Sequence, residues 1–328
     1  MVRVHWFAAF LFAVAFTGCS GGGHRAKTTL VVDPTRTAVV VLPRIGSGAA
    51  PPDEPALETP GPIGPNCGSP FETGQHEGLF DWPDGARRYL LYVPTGYNAY
   101  RPSPLVISFH GSGNQPEDID GYSRLAVLAE REGFLLLTPQ GSGYPPEWDV
   151  VGVYADYGYD DVAFTLSLLD EIEATFCVDT ARVFATGLSN GAEMASQVAC
   201  FAPDRFAAFA PVAGIVYQGC IGGPVPAVTF HGTDDYNVPF ELAPGEVASW
   251  AAHNGCTGEQ IVERYTEHVQ LRTYEDCGGN DVVFYVIEGG GHTWPGAEPG
   301  AGGAGHVTDE ISANELIWAF FAAHPKRE

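Results

Sequence analysis

The stretch Gly187-Leu188-Ser189-Asn190-Gly191 constrains the fold of this chain more than any other part of it. It follows an apolar run, Arg182-Val183-Phe184-Ala185-Thr186, and precedes a helix-forming stretch that starts at Ala192. These flanks read as strand, sharp turn and helix, with a serine at the apex. A glycine on either side removes the Cβ atoms that would obstruct so tight a turn. The serine Oγ then projects at the carboxyl end of a strand, beside the amino end of a helix, where it is placed to act as a nucleophile. The pentapeptide alone carries limited weight, because the chain contains 41 glycines. Its weight comes from the residues that accompany it.

A serine hydroxyl is a poor nucleophile until a base removes its proton, and the base needs an acid to fix its tautomer. Backbone N–H groups must also face the oxygen that becomes negative. The chain offers a candidate for each part. Leu105-Val106-Ile107-Ser108-Phe109 reads as a buried strand running into His110-Gly111-Ser112-Gly113, whose small residues let the main chain approach a carbonyl closely. The N–H of Ser112 is therefore one oxyanion donor, and the N–H of Asn190, directly after the nucleophile, is the other. Ala227-Val228-Thr229-Phe230 reads as another strand, ending in His231-Gly232-Thr233-Asp234-Asp235-Tyr236. Two carboxylates stand in that loop, and either Asp234 or Asp235 suits the acid. Val282 to Ile287 is a late strand, followed by Gly289-Gly290-Gly291-His292. His292, beyond three glycines, is the candidate base.

Together, His110-Gly111-Ser112-Gly113, Gly187-Leu188-Ser189-Asn190-Gly191, His231-Gly232-Thr233-Asp234-Asp235 and Gly291-His292-Thr293-Trp294-Pro295-Gly296 resemble the secreted esterase family of polyhydroxybutyrate depolymerases and feruloyl esterases. The resemblance runs from about Cys67 to the C-terminus. It implies an α/β-hydrolase fold and ester hydrolysis by a Ser-His-Asp acyl-enzyme mechanism without a metal or organic cofactor. The family pattern H-G-T-x-D-x-x-V-P places the acid at Asp235. Trp148-Asp149 and Asp160-Asp161-Val162 are also similar to the family. With proximity in sequence, the resemblance implies disulfides Cys67–Cys177, Cys200–Cys220 and Cys256–Cys277.

The 328 residues accommodate one large domain with a lead-in. Short apolar strands alternating with amphipathic helices predict an α/β architecture, a mostly parallel central sheet with helices on both faces. Val162, Leu166, Leu169, Ile172 and Phe176 recur at helical spacing and mark one core-facing helix. Residues 1–18 read as an export signal: Arg3 precedes an apolar stretch from Trp6 to Phe16, too short to span a bilayer. Phe16-Thr17-Gly18-Cys19-Ser20 resembles a bacterial lipoprotein signal, with Cys19 as a lipidated new N-terminus. Residues 19–66, rich in glycine and proline, read as a flexible tether, and 67–328 as the catalytic domain. Of seven cysteines, six remain beyond Cys19, an even number that suits disulfides in an exported or envelope-anchored protein. A zinc site is the rival use of cysteine, but no C-x-x-C pair is present.

The formal charge of −24 disfavours nucleic acid as a partner and any attachment to anionic lipid by surface charge, leaving a lipid anchor at Cys19 as the route to a membrane. The expected partner is an ester substrate, whether polymer, oligomer or small molecule. An acidic surface also disfavours anionic polymers, pointing toward neutral esters. Trp294, Trp148 and Tyr236 are the candidate substrate-binding residues, since each stands beside a motif in a loop past a strand's carboxyl end, where ligands bind in open α/β sheets. Flat rings there could stack on a phenolic acid or pack on an aliphatic polyester. A non-catalytic surface lipoprotein that binds glycan or polymer on the same scaffold, and a peptidase of the same fold, are the alternative functions. The former has no need of a base and an acid beside the serine.

Overall fold

Strands buried on both faces read as continuous apolar runs, and such runs build the centre of this molecule. The structure is a computed structural model, and it describes residues 67–150, 160–298 and 303–326. The signal at 1–18, the tether at 19–66 and the lipidation at Cys19 lie outside the described residues.

Ten strands form one sheet: β1 (Gly74–Phe80), β2 (Arg87–Val93), β3 (Ser103–Phe109), β4 (Leu135–Pro139), β5 (Val178–Leu188), β6 (Ala208–Val212), β7 (Ala227–Gly232), β8 (Gln260–Arg264), β9 (Val269–Tyr274) and β10 (Val282–Ile287). Their spatial order is β1-β2-β4-β3-β5-β6-β7-β10-β9-β8. The six central strands from β4 to β10 pair in parallel, and antiparallel strands finish both edges. The chain runs β3 then β4 outward, and then returns to place β5 on the other side of β3. Such a reversal of strand order leaves a crevice at the carboxyl ends of β3 and β5.

Helices cover both faces: α1 (Pro116–Ser123), α2 (Leu125–Glu132), α3 (Asp161–Thr175), α4 (Asn190–Phe201), α5 (Ala243–His253) and α6 (Ala313–Ala323). Successive strand residues point to opposite faces, so β3 sends Leu105, Ile107 and Phe109 into a core with α3, α4 and α5 residues. Val106 enters the second core, with residues of α1, α2 and α6. Helix α3 forms where the periodicity places it, but its buried face is Phe164, Leu168, Leu169 and Ile172, with Val162 and Leu166 half-buried. A broad apolar stripe left that rotation open.

All three disulfides pair as the resemblance implies: Cys67–Cys177, Cys200–Cys220 and Cys256–Cys277. The first links residues 110 apart in sequence and ties the domain's leading edge to the start of β5. Closing a loop of that length contributes about 5 kcal/mol in the chain-entropy view. Three disulfides fit an oxidising compartment outside the cytosol. Among the described residues, no helix is long and apolar enough to cross a membrane.

Candidate active site

Ser189 sits between β5 and α4 with φ 60 and ψ −127, a conformation that costs a non-glycine residue about 1–3 kcal/mol. Two glycines make it attainable. A Cβ on Gly187 would lie 2.4 Å from the Gly191 carbonyl oxygen, and one on Gly191 would lie 2.1 Å from that of Phe109. The turn is thus interlocked with the end of β3 by backbone contact. The Ser189 N–H donates to the Val212 carbonyl at 3.0 Å, which anchors the turn to β6 as well.

Ser189, His292, Ser112 and Gly111 line one cleft of about 600 Å³ at the β3–β5 crevice. Helix α1 contributes Glu117, Asp118 and Tyr122 to its lining. The N–H groups of Ser112 and Asn190 have no acceptor among the described residues and remain available to a ligand. Asn190 begins α4, where unpaired N–H groups and the helix dipole favour negative charge.

His292 follows β10 and lies in a loop pinned by a bridge to Ala304, with backbone bonds of 2.7 and 2.9 Å in the two directions. Its Nδ1 is 2.7 Å from Asp235 Oδ2. Asp235, not Asp234, therefore meets His292: Asp235 is buried and Asp234 is exposed. Oδ1 of Asp235 accepts the N–H groups of Asn237 and Val238, both at 2.9 Å. A second imidazole also reaches this carboxylate, since His231 Nε2 is 3.3 Å from Oδ2 and 2.9 Å from the Val238 carbonyl oxygen. Burial pushes the Asp235 carboxyl upward, but hydrogen bonds from His231, His292 and the Val238 N–H outweigh it and hold Asp235 far below the usual carboxylate range. It stays ionised and favours a proton on Nδ1 of His292, the arrangement that a general base at Nε2 would need. His231 entered the sequence reading only as part of a strand-end motif, because nothing local marks a side chain that folds back on a residue four positions later.

Two aromatic assignments are corrected. Trp148 is 0 % exposed, with its ring against Phe109 and its Nε1–H donated to the His110 carbonyl at 2.8 Å. Trp294 is 1 % exposed and donates Nε1–H to Asn314 Oδ1 at 2.9 Å. Neither face is open to a substrate. Proximity to a motif in sequence placed both near the site, but each packs beneath it as structural support. Tyr236 is 89 % exposed beside Asp235, and its neighbour Asn237 lines the cleft instead.

The family-like pairs at Trp148-Asp149 and Asp160-Asp161 resolve into one buried network. Asp161 Oδ2 accepts the Asp149 N–H at 2.7 Å and the Ser142 hydroxyl at 3.1 Å, while Arg87 donates to Asp161 and Asp84. His110 is equally confined: Nδ1–H donates to the Gly111 carbonyl at 2.8 Å, and Nε2 accepts the Gly141 N–H at 2.9 Å. Burial lowers its pKa to about 4.

The parallel sheet, the strained serine on the turn after β5, and the Asp-His pair beyond β7 and β10 define an α/β-hydrolase. Solved structures agree on the fold. An acetyl xylan esterase from Aspergillus awamori matches with a TM-score of 0.59 and 18 % identity, over 76 % of this chain and 99 % of that one. Thermogutta terrifontis esterase 2 matches with a TM-score of 0.55 and 15 % identity, over 77 % of this chain and 96 % of that one. Residues 87–232 match the family model described as Esterase PHB depolymerase. Feruloyl esterase B of Piromyces equi is 30 % identical over 231 residues, covering 63 % of this chain, which in turn spans 42 % of that enzyme's length. A probable feruloyl esterase C of Aspergillus niger is 26 % identical over 242 residues, covering 72 % of this chain and 84 % of that enzyme. These matches make the chain similar to polyhydroxybutyrate depolymerases and feruloyl esterases and support a carboxylic-ester hydrolase.

Proposed function

We propose that this chain is an exported serine esterase that cleaves neutral feruloyl-type esters through an acyl-enzyme. Ser189 Oγ attacks the ester carbonyl carbon while His292 Nε2 takes its proton. The N–H groups of Ser112 and Asn190 hold the resulting oxyanion. His292 then protonates the departing alcohol oxygen, water attacks the acyl carbon with His292 again as base, and Ser189 is regenerated. Asp235 orients His292 and stabilises its charged form. The observation that carries this reading is the 2.7 Å contact of Asp235 with Nδ1 of His292, a residue that lines the same cleft as the strained Ser189.

Two features favour a feruloyl ester over a polyester. The relatives matched over most of their length are named feruloyl esterases. Glu117 and Asp118 on the cleft wall, with a net charge of −24, oppose the terminal carboxylate of a hydroxyalkanoate oligomer but not a neutral ferulate. Initial rates on methyl ferulate and on a 3-hydroxybutyrate oligomer, with Ser189→Ala as blank, test both parts. Faster Ser189-dependent turnover of ferulate is expected. A preference for the oligomer would reverse the substrate while leaving the mechanism, and equal turnover by Ser189→Ala would end both.

The lipoprotein-like signal supports an envelope anchor at Cys19, where multiple acyl chains give lasting attachment. Cys19→Ser should move the enzyme from the membrane fraction to the soluble exported fraction, and an unchanged distribution would contradict the anchor.

A further inference from the structure

The two oxyanion donors belong to loops 78 residues apart by their numbers, Ser112 after β3 and Asn190 after β5. No hydrogen bond joins these two residues to each other among the described ones. Both are instead tied to the same three consecutive residues, Pro146-Glu147-Trp148. The Pro146 carbonyl accepts the Gly113 N–H at 2.8 Å. Glu147 Oε1 accepts the Ser112 hydroxyl at 2.7 Å. The Trp148 N–H donates to Asn190 Oδ1 at 2.7 Å, and the Trp148 carbonyl accepts Asn190 Nδ2–H at 3.1 Å.

The segment has little freedom of its own. Ser142 and Glu147 pair across a small loop, with the Glu147 N–H bonded to the Ser142 carbonyl at 2.8 Å. Trp148 is wedged against Phe109 and bonded to the His110 carbonyl, and the next residue, Asp149, hangs from the buried Asp161. A rigid three-residue bridge between two donors fixes their separation, and donor placement matters because the oxyanion must meet both at about 2.7–3.1 Å.

We infer that Pro146-Glu147-Trp148 is a strut that sets the spacing of the oxyanion hole, which makes Glu147 and Trp148 positioning residues for catalysis. The inference rests on the assignment of Ser112 and Asn190 under Proposed function. Glu147 is half-buried and Ser112 exposed, so the joint between them can be broken from either side with the buried core untouched.

The test is a double-mutant cycle of Ser112→Ala and Glu147→Ala on methyl ferulate, with Glu147→Gln as the conservative variant. The rate of Ser189 modification by a fluorophosphonate is measured alongside, because the phosphonyl oxygen uses the same donors. Each single variant should lose about fivefold in kcat, as one ordinary hydrogen bond allows, with KM within about twofold. The double variant should be no slower than either single one, Glu147→Gln should recover most of the rate, and the fluorophosphonate rate should fall in parallel. Wild-type kcat in Glu147→Ala would overturn the strut, as would a double variant whose loss is the product of the two. Lowered melting temperature with kcat unchanged would also overturn it, leaving Glu147 a purely structural residue. An active Ser189→Ala control would instead remove the assignment of the site itself, so the two failures are distinguishable.

Discussion

Ser189 and the N–H groups proposed to hold the oxyanion stand on interlocked backbone, whereas His292 and Asp235 stand on two loops that converge from strands β10 and β7. In the first region, glycines at 187 and 191 bring main chains into contact, and a missing Cβ determines the geometry. In the second, side-chain hydrogen bonds set it: two imidazoles and two backbone N–H groups around one buried carboxylate. The contrast matches the chemistry. Oxyanion donors must not move during the reaction, while the base shuttles a proton between two oxygens. Substitutions at the glycines of the first region should therefore fail by misfolding, and those in the second region by loss of rate with the fold intact.

The largest effect is expected in the second region. Asp235→Asn should lower kcat by about 10⁴, because the wrong tautomer of His292 then faces the serine, while Asp234→Asn should leave kcat near wild type. Steady-state kinetics on both variants checks this, and a loss at Asp234 equal to that at Asp235 would break the comparison. In the first region, Gly191→Ala should destabilise by about 4 kcal/mol or prevent folding, since its Cβ would enter the Phe109 carbonyl. Denaturant unfolding measures it. A folded Gly191→Ala of wild-type stability would show that the interlock is not what holds the turn.

A smaller effect depends on pH. The folded protein holds His110 at about 4, below the ordinary 6.5. Between those values the unfolded chain binds a proton that the folded one excludes. Stability attributable to His110 is thus full above about 6.5, falls as pH drops through this window, and levels off below about 4, a total of roughly 3 kcal/mol. His110→Gln should flatten that part of the stability–pH curve relative to wild type, and parallel curves would contradict it. Asp235 acts in the same sense but in a more acidic window. Its depressed folded value stabilises above its unfolded pKa of about 4 and is lost only as pH falls through the folded value, so it adds no slope near neutrality. The smallest effect is at Tyr236, whose exposed ring should be removable by Tyr236→Ala with kcat/KM changed by less than about twofold. A larger loss would return that ring to the substrate site.

The same division explains how much was legible in the sequence. Glycine spacing, an apolar strand before it and a helix after it are local signals, so the turn at Ser189 and strands β3, β5, β7 and β10 could be read directly. Their parallel pairing followed from apolar runs separated by helical stretches. Strands β8 and β9 pass unnoticed because β8 is exposed along its length and carries no buried periodicity. Strand β6, an alanine-rich run containing Pro211, is equally quiet. The choice of Asp235 over Asp234 needed the family pattern, since both acids share one loop and only burial separates them. Trp148 and Trp294 misled for a physical reason. An aromatic beside a catalytic loop can face the cleft or brace the loop from below, and sequence spacing is identical in the two cases. The buried network from Arg87 to Asp161 to Asp149 was present as residue pairs, but its partners are up to 74 residues apart, and only the folded sheet brings them together.

The central claim is that Ser189 is the nucleophile of an acyl-enzyme. Its most direct test is mass mapping of the folded enzyme after reaction with a fluorophosphonate, with residual ester hydrolysis measured on the same sample. One adduct per chain, located on Ser189 and accompanied by complete loss of activity, is the predicted result. Full labelling of Ser189 with hydrolysis intact, or loss of activity with the adduct on another residue, would contradict it.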